Sequence, residues 1–106
     1  MAIVRDATGG RLLQLMNLNI YDGEGRVLGH VTGDEIRDIH GHTLGWMDHD
    51  VVVAPDWSPR LVLERDMVFD LDGDFVGRIE HFDRHERDLA AAALLTLRRP
   101  HTDLAA

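Results

Sequence analysis

The chain has 106 residues, 19 acidic side chains against 11 lysines and arginines, a formal charge of −8, and no cysteine. This size suits a single domain with a modest core. The charge repels phosphate backbones, so nucleic acid is not an expected partner, and the missing thiols exclude a disulfide framework, a cysteine zinc site and a thiol nucleophile. The opening MAIVRDATGG lacks the basic start and apolar run of a secretory signal, and no stretch approaches the ~18 apolar residues of a membrane span. A cytoplasmic location without membrane attachment is the default expectation.

From Val4 onward a pattern recurs every 16 residues, giving the segments Val4–Asn19, Ile20–Glu35, Ile36–Val51, Val52–Met67 and Val68–Asp83. The template reads apolar, any, Asp, two variable, Gly, two variable, apolar, Gly, any, apolar. Its third position holds Asp6, Asp22, Asp38, Ala54 and Asp70, and its sixth holds Gly9, Gly25, Gly41, Trp57 and Gly73. The tenth is Leu13, Gly29, Gly45, Leu61 and Gly77, while the twelfth is always apolar: Leu15, Val31, Met47, Leu63 and Ile79. A fixed period without insertions denotes one supersecondary unit copied, each copy needing its neighbours to bury its apolar face.

Within a unit, a short apolar strand, a Gly-containing turn and a longer apolar strand spell a β-hairpin. An Asp before the turn accepts from turn amides, and Gly at the sixth position supplies positive φ. Gly at the tenth, inside the return strand, marks a bulge or a close backbone approach. The expected fold is therefore mainly β, with 16-residue hairpins around a pseudo-symmetry axis over residues 1–83, because closure removes exposed edges. Unit four departs from the template, with Ala54-Pro55-Asp56-Trp57-Ser58-Pro59 in place of Asp-x-x-Gly. Its turn is the candidate functional graft, with an ordinary variant turn as the alternative.

After Asp83 the period breaks. Asp83-Arg84-His85-Glu86 fits a capping box, and an Ala- and Leu-rich helix is predicted over residues 84–99, stopped by Pro100, with residues 100–106 as a flexible tail. Leu89, Ala93 and Leu97 form a stripe widened by Leu94. That face is expected to pack over the hairpins or against a second subunit.

The runs IYDGEGRVLGHV, IRDIHGHTLGWM and VFDLDGDFVGRI resemble the repeats of bacterial four-fold β-flower proteins, which implies short β-units about an axis and hands over no catalytic residue. Five units against a four-fold pattern is a departure. The stretch Ile20–Val31 also resembles the opening of PRC-barrel domains, although a PRC barrel does not require the same phrase again at Ile36 and Val68.

Seven histidines raise a metal or small-ligand alternative: His40 and His42 with His49 and its flanking aspartates, and separately His81 and His85 around Asp83. The aspartates of Asp70-Leu71-Asp72-Gly73-Asp74 fail the calcium-loop pattern, since the sixth position is Phe75 and the twelfth His81. No nucleophile elbow, P-loop or dinucleotide fingerprint is present, so no catalytic residue and no cofactor are expected. Trp46 and Trp57 are either anchors for a partner or plugs of internal gaps. The expected function is thus a small non-catalytic structural or protein-interaction module, self-associating, with Leu89, Ala93, Leu94, Leu97, Trp46 and Trp57 as the candidate interface residues and metal-ion or small-ligand binding as the alternative.

Overall fold

A computed structural model describes residues 1–98. The five units form ten strands: β1 (Ala2–Arg5), β2 (Arg11–Met16), β3 (Asn19–Asp22), β4 (Val27–Thr32), β5 (Glu35–Asp38), β6 (Thr43–Asp48), β7 (Val51–Val53), β8 (Pro59–Glu64), β9 (Met67–Asp70) and β10 (Phe75–Glu80). Each strand pairs antiparallel with its sequence neighbours, and β1 pairs with β10, so the sheet closes into a barrel without an edge. The segment Val4–Asn19 is a full unit, because β1 supplies the closing pair Val4↔Ile79.

The repeat positions become layers of the interior. Position one contributes Val4, Ile20, Ile36, Val52 and Val68, all with 0% exposure. Every hairpin slips register at the same place, leaving one unpaired residue in the return strand at position nine: Leu12, Leu28, Leu44, Arg60 and Val76. Such a bulge bends its strand and increases twist, which helps a short sheet to close. Four of these side chains pack on the core and Arg60 is exposed. The following glycine is explained by approach distance. A Cβ on Gly45 would lie 2.0 Å from the Val53 carbonyl oxygen and 2.7 Å from Leu95 Cδ1, and one on Gly29 would lie 2.1 Å from the Arg37 carbonyl oxygen.

One end of the barrel carries the Asp-Gly turns of the hairpins. The other carries the two-residue links between units, where Asn17, Leu18, His49 and Arg65 adopt positive φ. From that second end the helix α1 (Arg84–Ala93) enters and tightens into a 3-10 turn over Leu94–Thr96. Asp83 caps it by accepting from the Glu86 amide at 2.8 Å, and Glu86 reaches back one residue further than a standard capping box, accepting from the Phe82 amide at 2.7 Å.

The helix does not lie over the hairpins; it runs inside the barrel. Ala90, Ala91, Ala92 and Ala93 point in four successive directions about the helix axis, yet all have 0% exposure. The helix touches β1, β2 and β10 on one side and β5, β6 and β7 on the other. Small side chains suit this position because a helix with ordinary side chains is about 10–12 Å across, and Ala keeps it at the narrow end of that range. Leu89, Ala93 and Leu94 are therefore buried in the chain's own core and are not free to form the subunit interface that their stripe suggested. Leu97 alone of that set is substantially exposed. The helix is shorter than the predicted 84–99: it ends at Thr96, whose hydroxyl donates back to the Ala93 carbonyl at 2.7 Å as the last turn tightens, and Leu97 and Arg98 are already outside it. Arg99, the stop at Pro100 and the tail 100–106 lie outside the described residues.

Candidate functional site

The Asp-Gly turns share one hydrogen-bond plan. Asp22 Oδ1 accepts from the Glu24 and Arg26 amides at 2.8 and 2.9 Å, Asp38 Oδ1 from those of His40 and His42, both at 2.9 Å, and Asp70 Oδ1 from those of Asp72 and Asp74, both at 2.9 Å. Asp6 does the same with Thr8 and Gly10. These donors hold several carboxyls below the usual Asp range: Asp22 chiefly through the Arg26 amide, Asp38 chiefly through the His42 amide, and Asp6 chiefly through the Thr8 hydroxyl. In all four turns the sixth position is Gly with φ between 84° and 90°.

Unit four builds the same turn from different parts. The backbone bonds persist, with the Ala54 amide donating to Ser58 at 2.9 Å and the Trp57 amide to Ala54 at 2.8 Å. Ala54 has no carboxylate, so the aspartate moves into the turn. Asp56 Oδ1 accepts from the Ser58 amide at 3.0 Å and from its hydroxyl at 2.6 Å, and the hydroxyl is the main reason this carboxyl also sits below its usual range. Trp57 stands where the other units have Gly, at φ 68°. A bulky L-residue in that region costs about 1–2 kcal/mol. The residue is 61% exposed, and its ring meets that of Trp46 edge-on, with centroids 5.1 Å apart.

Trp46 belongs to a wider apolar face. It projects outward from β6 opposite Val53 of β7. On the same outer wall Val51 pairs with Val62, Val62 with Phe69 and Phe69 with Phe75, an unbroken row across β7 to β10. Phe69 and Phe75 stack edge-on at 6.1 Å, and both are at least partly exposed. Val53, only 3% exposed, lies outside the interior cluster and so is covered on the outer side of the wall.

The histidines are dispersed. His40 and His42 occupy one turn with ring centroids 6.2 Å apart, and His42 Nδ1 lies 3.4 Å from Asp38 Oδ2. His49 bonds Asp48 at 3.0 Å in a two-residue link at the opposite end of the barrel. His81 bridges Asp66 Oδ1 at 2.8 Å and the Asp83 carbonyl at 2.9 Å, which fixes the junction into α1. His85 borders a small cleft with Asp34, Asp88 and Met47. Among the described residues, no group of three or more His, Asp or Glu is placed to hold a metal ion.

Compared with protein families, curated proteins and solved structures, the chain matches none of them. Among the described residues no helix is long and apolar enough to cross a membrane. Of the residues singled out from sequence, the fold brings Trp46 and Trp57 together on the outside. The aromatic row through Phe69 and Phe75 was missed, although both lie on strands whose alternation already sends them away from the buried position-one residues.

Proposed function

We propose that this protein is a non-catalytic binding module that engages another protein through its outer wall at Trp46 and Trp57. Trp57 carries the reading. Four sister turns in the same molecule show that Gly satisfies this backbone, so a strained and exposed Trp is not required by folding. Backbone strain maintained by its surroundings points to function, and exposed Trp is the side chain most enriched among binding hot spots. The filled interior supports the same view, because α1 occupies the space in which a barrel of this kind would hold a small ligand.

The test is site-specific photo-crosslinking in the producing cell, with a photo-reactive phenylalanine derivative at position 58 beside Trp57, or at position 24 in the equivalent turn of unit two. Protein adducts should form from position 58, disappear when Trp57→Gly is added, and be absent from position 24. Adducts indifferent to Trp57→Gly, or equally abundant from both turns, would defeat the reading.

A further inference from the structure

The outer wall that carries Trp57 is also net negative. Between Asp48 and Glu80 there are nine acidic residues against three arginines. Arg5, Arg87 and Arg98 reach in from outside the segment to pair with Glu80, Asp50 and Asp70, so nine acids face six arginines, a balance of −3. The aromatic row crosses the strands of this same segment. Asp48, Glu64 and Glu80 end β6, β8 and β10, while Asp56, Asp72 and Asp74 sit in the turns at the opposite end. An apolar strip therefore runs around the barrel between two acidic rims.

Resting on the reading above, we infer that the partner of this wall is a basic segment of another protein, with apolar side chains on the Val62, Phe69 and Phe75 row and a Lys or Arg against the Trp46 and Trp57 rings. Charge complementarity selects this occupant. Cations are drawn to the rims and to indole faces. A second copy would place two net-negative walls against each other, and an anionic membrane surface would be repelled. Rim charges mainly steer and select, whereas a desolvated aromatic anchor sets how long the complex lasts.

The experiment is calorimetric titration of the whole protein, at about 50 mM and about 300 mM salt, with three synthetic 14-residue probes: one of Lys and Leu in an amphipathic order, one with Glu for Lys, and one with Gly for Leu. The Lys/Leu probe should bind at least about tenfold more tightly than either other probe and weaken with salt. Trp57→Gly, which restores the residue of the sister turns and so keeps the fold, should weaken it by about tenfold or more. Glu64→Lys should weaken it severalfold, mostly through the association rate. Equal or tighter binding of the Glu/Leu probe would overturn the basic partner while leaving a Trp57-dependent surface in place. Unchanged Lys/Leu binding by the Trp57→Gly protein would overturn this inference and the reading beneath it. A dimer in light scattering that Trp57→Gly dissolves would also overturn it, assigning the wall to a second copy.

Discussion

Leu94 and Leu97 are the same residue type one helical turn apart, one 1% and the other 42% exposed. Truncating each to Ala therefore tests directly whether the helix lies within the barrel. Removing a fully buried Leu side chain costs the transfer energy of the lost carbons plus the cavity left behind, about 3–5 kcal/mol where the surroundings cannot collapse. Collapse is restricted here because the strands are hydrogen-bonded around the full ring. A domain of this size has about 5–15 kcal/mol in total. With a urea slope of about 2 kcal/mol/M, Leu94→Ala should lower the unfolding midpoint by about 2 M, and Leu97→Ala should cost under about 1 kcal/mol. Urea melts followed by far-ultraviolet circular dichroism and by tryptophan fluorescence measure both. Equal losses, or a larger loss from Leu97→Ala, would show that the helix does not occupy the interior.

Gly45→Ala should destabilise by more than about 3 kcal/mol or abolish folding, because its Cβ meets the Val53 carbonyl and the Leu95 side chain. Gly41→Ala, with nothing within 4 Å, should cost only the backbone strain of about 1–2 kcal/mol; thermal melts of the pair will separate contact from conformation. His49→Gly relieves a φ of 56° on an exposed link and should raise stability by about 0.5–1 kcal/mol in the same assay. The turn carboxyls of Asp6, Asp22, Asp38 and Asp56 lie below their usual value of 3.8 when folded. Their stabilisation is thus complete above the ordinary carboxylate range and is lost as pH falls through the folded values. Asp38→Asn keeps an oxygen for the His40 and His42 amides but cannot titrate, so the fall in melting temperature between about pH 6 and pH 3 should be smaller than in the parent; an identical fall would remove Asp38 from the acid response.

The hairpins were legible because their cues are local: alternation of apolar residues, an Asx turn and a Gly at fixed spacing each act within a few residues. The register slip was half legible. Gly29, Gly45 and Gly77 announced an irregularity, but the unpaired residue is the one before them, and only the pairing reveals it. The helix was recognised and misplaced. Leu89, Ala93 and Leu97 suggested a one-sided stripe, while the stronger sign was Ala90–Ala93, a run that leaves no polar face at all. At the site, internal comparison isolated Trp57, since four Gly-bearing copies act as its controls. The aromatic row escaped notice because its members sit on different strands and meet only through register, which no local pattern records.

The joining of β1 to β10 around a helix that follows both in the chain sets an order of events during synthesis. Nine hairpin and link pairings can form as each strand leaves the ribosome, but the ring has nothing to close upon until residues 84–96 have also emerged. Until then the inward Val, Ile and Leu side chains of five hairpins face solvent or one another, a state inclined to stick to other chains. Burial of this segment completes the barrel. The yield of soluble protein should therefore depend on how quickly those residues follow the strands, and on whether a chaperone shields the open sheet in the interval.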